Sequence, residues 1–89
     1  MIKKMYGIKD DYTGFISLVM ADNDAVASRD FISACSDKTS YLGNEDTASA
    51  FHLYCFGTID IDTGVVVSDL YPVANAIDYL MNKKNLKEK

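Results

Sequence analysis

The chain has 89 residues, 48% of them hydrophobic, with five glycines and one proline, which describes one domain with material for a core and too few breakers for a long disordered stretch. Thirteen acidic residues against nine basic ones give a formal net charge of −4, the wrong sign for strong nonspecific attraction to nucleic acid, which needs a positive surface to displace counterions from phosphates. No stretch approaches the roughly 18–20 apolar residues of a membrane-spanning helix, and no apolar run follows Met1-Ile2-Lys3-Lys4-Met5 to make a secretory leader, so an intracellular protein without a membrane partner is expected.

Residues 2–9 are predicted to form a first strand, with Met5, Tyr6 and Ile8 as its apolar content. Asp10-Asp11-Tyr12-Thr13-Gly14 reads as a turn, in which short polar side chains bond the local backbone and glycine permits positive φ. Phe15 to Met20 follows as a second strand, apolar on both faces; that pattern predicts a central strand covered on both sides, in a hairpin with the first. A helix is predicted to start at Asp22-Asn23-Asp24, where side chains cap exposed N–H groups and carboxylates suit the positive end of the helix dipole. Ala27, Phe31, Ala34 and Cys35 then recur with the spacing of one buried helical face, and Ser28, Arg29, Ser33 and Ser36 point away. The helical pattern ends near Asp37.

Lys38 to Ala50 is a long irregular segment, a length usual for functional or mobile loops. Phe51 to Asp60 alternates strictly: Phe51, Leu53, Cys55, Gly57 and Ile59 fall on one face, His52, Tyr54, Phe56, Thr58 and Asp60 on the other. Asp60-Ile61-Asp62-Thr63-Gly64 reads as a hairpin turn and Val65-Val66-Val67 as the return strand. Beyond it two readings stay open. Pro72 either occupies the first turn of a helix with Val73, Ala76, Ile77 and Leu80 on one face, or lies in an edge segment laid over the sheet. The expected architecture is α+β: an antiparallel sheet of about four strands in the order β-β-α-β-β, one main helix on a face, and a C-terminal helix if residues 72–82 are helical. Residues 1–82 form the domain, and 83–89 a charged, frayed tail.

Few residues offer chemistry. Cys35 and Cys55 are expected to be reduced and buried, one on the helix and one on a strand. His52 is the single histidine, and a general base or metal site needs more company than it has. The spacing of Asp60, Asp62 and Gly64 does not fit a calcium loop. Neither an enzyme nor a cofactor is expected. The strand face carrying His52, Tyr54 and Phe56 is the more informative feature: rings placed side by side on a sheet can stack on unpaired bases, or they pack beneath a helix or in a dimer interface. Both faces of this strand are apolar while one sizeable helix is secure, so the C-terminal segment or a second subunit is expected on the other face. Lys83, Lys84 and Lys87 in the tail could meet phosphates or serve only as a solvated terminus. Arg29, the single arginine, is the best candidate on the helix for a phosphate or carboxylate contact.

Two segments, Asn23-Asp24-Ala25-Val26-Ala27-Ser28-Arg29-Asp30-Phe31 and Leu53-Tyr54-Cys55-Phe56-Gly57-Thr58-Ile59-Asp60-Ile61-Asp62-Thr63-Gly64, resemble the small nonstructural protein of gokushoviruses, the product of the fifth open reading frame in that branch of the Microviridae. The resemblance spans roughly residues 1–70. It implies a non-capsid protein of a small single-stranded DNA phage, made in the host bacterial cytoplasm. Members of that family are commonly labelled DNA-binding and are likened to the factor that diverts replication from duplex copies to packaged single strands. The expected function is single-stranded DNA binding during replication or packaging, as a homodimer. The alternative is an acidic interaction module that contacts a phage replication or assembly protein, or a host protein, without touching DNA.

Overall fold

The structure, a computed structural model, describes residues 1–36, 42 and 48–78. Its elements are β1 (Ile2–Asp10), β2 (Gly14–Ala21), α1 (Asp24–Cys35), a single 3₁₀ turn (Ala48–Ala50), β3 (Phe51–Asp60) and β4 (Val66–Asn75). The strands form one antiparallel sheet in the order β2-β1-β3-β4. β1 and β3 are therefore central, β2 and β4 are edges, and α1 lies in the connection from β2 to β3.

Both hairpins turn on the same short motif, Asp-x-x-Thr-Gly. In the first, the Asp10 carboxylate accepts from the Tyr12 amide at 2.9 Å and the Thr13 hydroxyl at 3.0 Å. In the second, Asp60 Oδ1 accepts from the Asp62 amide at 2.9 Å, and the Asp60 carbonyl accepts from the Gly64 amide at 2.7 Å. Gly14 and Gly64 end the turns at φ 91° and 77°, a region that costs glycine little. At the start of α1, Asn23 is extended and its Oδ1 accepts from the Val26 amide at 2.9 Å, satisfying one of the helix's unpaired donors.

The core lies on one side of the sheet. Ala27, Phe31 and Cys35 of α1 pack on Tyr6, Leu53 and Cys55, with Leu42, Ala48, Phe51 and Ala76 closing the cluster. The strict alternation of β3 is realised: Phe51, Leu53, Cys55 and Gly57 are buried, and the residues between them are partly exposed. Both cysteines are buried and free.

Two expectations are corrected. β2 is not a covered central strand but an edge, with Leu18 exposed to 67% and Val19 to 52%. A helix about 10 Å across spans about two strands at 4.8 Å spacing, so α1, which meets β2, β3 and β4, leaves Val19 at the rim of a groove beside it, and among the described residues nothing covers Leu18 on the other face. The return strand is also longer than its valines suggested. Of the two readings left open for Pro72, the helical one fails and the edge one holds in the form of an edge strand: Pro72 lies inside β4, opposite Tyr54 at a register shift. An edge strand at an irregularity is where proline's missing N–H is tolerated. Helical conformation starts only at Ala76 and covers 76–78; Leu80, the rest of 72–82 and the 83–89 tail lie outside the described residues.

Candidate nucleic-acid interface

The face of the sheet opposite α1 is open among the described residues, and its centre is glycine. Gly7 of β1 sits opposite Leu18 of β2 and Tyr54 of β3, and a Cβ there would come within 2.6 Å of the Phe56 ring. The absent side chain is what lets Phe56 lie down across β1. Phe15, from the start of β2, packs edge-on against both neighbours, with ring centroids 5.7 Å from Tyr54 at 89° and 4.7 Å from Phe56 at 70°. T-shaped packing directs positive ring edges at negative ring faces. Lys9 Nζ stands 5.8 Å from the centre of the Tyr54 ring, within cation–π range.

Of the expected site residues, Tyr54, Phe56 and His52 share this face. His52 is held in place: its Nδ1 lies 2.6 Å from Asn75 Oδ1 and its Nε2 3.2 Å from the Asp11 carboxylate. Asn75 Nδ2 in turn donates to Asp78 at 3.0 Å. Arg29 does not join the group. It is exposed on α1, in the other layer, with Asp30 Oδ1 3.7 Å from its Nε. Lys83, Lys84 and Lys87 lie outside the described residues. Three contributors were missed: Phe15, Lys9 and Gly7. A glycine inside an apolar strand signals a close approach, so Gly7 was readable; Phe15 needs the hairpin register before its neighbours are known.

The lysines of β1 divide by role. Lys3 pairs with Asp22, and Lys4 Nζ lies 3.4 Å from Asp24 and donates to the Tyr71 hydroxyl at 2.8 Å. Lys9 makes no ion pair among the described residues and stays available on the open face.

Asp24, the first residue of α1, is the hub of a polar cluster on the helix side. It accepts from the Tyr6 hydroxyl at 2.5 Å and the Tyr71 hydroxyl at 2.9 Å. The Tyr6 hydroxyl, aided by that of Tyr71 and by Lys4, holds the Asp24 carboxyl below its usual range. Burial, reinforced by the Asp24 carboxylate, pushes the Tyr6 phenol up, and burial does the same to the Cys35 thiol. This half-buried cluster ties the start of the helix to β1 and β4.

Among the described residues no helix is long and apolar enough to cross a membrane. The comparisons found no match among curated proteins and none among solved structures. A family model described as Phage ORF5 protein matches residues 3–79, which take in α1 and all four strands but for Ile2, and the chain therefore belongs to that family of phage proteins.

Proposed function

We propose that this phage protein binds single-stranded DNA on its open sheet face, in the host bacterial cytoplasm, during genome replication or packaging. The observation that carries the reading is the grouping of Phe15, Tyr54 and Phe56 around Gly7, with Lys9 beside Tyr54. A base stacked on an aromatic side chain gains about 1–3 kcal/mol, whatever its identity, and one or two lysines add phosphate contacts. Stacking then dominates, because a chain of net charge −4 has little electrostatic attraction to contribute. Fluorescence anisotropy with a labelled single-stranded oligonucleotide at low salt tests the proposal. Saturable binding is expected, weakened about tenfold by Tyr54→Ala; no binding at tens of micromolar protein would sink it.

A second reading, an adaptor for a phage replication or assembly protein or a host protein, is favoured by the acidic balance together with the exposed apolar residues of β2. Salt separates the two. Counterion release makes DNA binding fall as salt rises, whereas an apolar protein contact holds or strengthens.

A further inference from the structure

We infer that β2 is an interface strand, pairing antiparallel with β2 of a second copy across a two-fold axis to give one continuous sheet of eight strands.

The case rests on how differently the two edges are built. An edge strand offers a row of unpaired N–H and C=O groups, and proteins that stay monomeric blunt it with charge, proline, bulges or a covering element. β4 carries such devices: Asp69, Pro72 and two shifts of register against β3. β2 has no ionisable residue and no proline from Gly14 to Ala21. It pairs with β1 alone among the described residues, and its single register shift lies at its beginning, opposite Ile8 and Lys9. Phe15, Ile16, Leu18, Val19 and Met20 are each exposed, between 44% and 67%. They occupy both faces of the strand, so burying one side of the sheet would not cover them. A partner strand lying alongside, with its own side chains above and below, covers both at once.

A second copy of the chain is the occupant that fits. An uncharged strand laid against itself puts no like charges directly opposite one another, and two-fold pairing satisfies identical backbone edges reciprocally. The five side chains expose on the order of 450 Å² per copy, and with strand backbone and flanks the total approaches the lower end of the roughly 1,200–2,000 Å² usual for stable interfaces. A reversible dimer in the micromolar range is the expected result. Beside β2 on the helix side lies an apolar groove of about 180 Å³, lined in part by Val19, Ala27, Phe31 and Ala34; the partner's β2 enters next to it. On the other side, Phe15, near the start of β2, stands against the end of the partner's strand, so the two aromatic faces lie on the same side of the eight-stranded sheet, one on each side of the two-fold. Acidic residues flank the strand at both ends, Asp10 and Asp11 before it and Asp22 after it. Antiparallel pairing brings these ends together between copies, so added salt, by screening them, strengthens the dimer. DNA binding has the opposite salt dependence, and the pairing requires no nucleic acid, so either reading can fail alone.

Sedimentation velocity of the full chain without DNA, across the micromolar range, tests the inference. The mass is expected to rise toward twice 9.9 kDa. Leu18→Glu, on β2, is expected to weaken association at least about tenfold, and Leu70→Glu, an exposed position on β4, to leave it unchanged, with circular dichroism confirming the fold of each. Should Leu18→Glu fail to fold, hydrogen exchange on the wild type decides: amides of residues 14–21 gain protection with concentration and those of 66–75 do not. A wild type that stays monomeric overturns the inference, as does a dimer indifferent to Leu18→Glu or one whose concentration-dependent protection falls in β4.

Discussion

A methyl group at position 7 would meet two carbons of the Phe56 ring at 2.6 Å and the Ser17 carbonyl at 2.8 Å. The ring can swing away, but the carbonyl is held in the β1–β2 pairing. Gly7→Ala is therefore expected to cost about 1–3 kcal/mol, the usual range for overpacking, measured by urea unfolding. Part of that cost belongs to the ring, so the double variant Gly7→Ala/Phe56→Ala is expected to be more stable than the sum of the two single losses predicts. Asp24 makes a separate prediction about acid. Its carboxyl titrates lower in the folded chain than the ordinary aspartate value of 3.8, so the folded form binds fewer protons there. Its stabilising contribution is complete above 3.8 and is lost as pH falls through the lower, folded value. Asp24→Asn is expected to lower stability at neutral pH and to flatten the acid limb of the stability–pH profile. Tyr6→Phe, which removes the largest cause of the shift, should move that limb toward higher pH.

At the level of elements, Gly57 is the position with least freedom. It sits at φ 131°, and a Cβ there would lie 2.0 Å from the Val67 carbonyl, where β3 and β4 slip register. Gly57→Ala combines backbone strain with a collision against main chain, and a loss of about 2–5 kcal/mol is expected by the same urea assay. The elements were unequally legible in the sequence. Strand β3 and the helix announced themselves because their periodicities are local, and both Asp-x-x-Thr-Gly turns because their hydrogen bonds close within a few residues. The position of β2 was not legible. An apolar strand covered on two faces and one awaiting a neighbour have the same composition, and which it is depends on the sheet order. The extent of β4 was not legible either, because Pro72 suits the first turn of a helix and an edge segment alike, and only the sheet order decides between them. For the same reason Tyr54 and Phe56 could be placed on one face from β3 alone, while Phe15 could not be placed beside them.

Over the whole molecule, charge and apolar surface pull the proposed ligand in a definite direction. Three lysines lie in β1, and two of them pair with aspartates, so few phosphates can be neutralised by the described sheet. The slope of log affinity against log salt for single-stranded DNA is expected to be shallow, about −1 to −2, for one to three phosphate contacts. Lys9→Ala should reduce its magnitude by about 0.7, read from anisotropy titrations at several salt concentrations.

The central pairing of β1 with β3 joins residues 2–10 to residues 51–60, and this has a consequence for synthesis. The first hairpin leaves the ribosome complete, but the strand that pairs with the other edge of β1 is made tens of residues later. Until then β1 as well as β2 presents an unpaired edge, and Tyr6 and Ile8 lack the Leu53 and Cys55 that complete their side of the core. Closing so long a loop is slow compared with forming a hairpin. In a cell making many copies at once, the interval before β3 arrives is when unfinished chains are most open to sticking to one another.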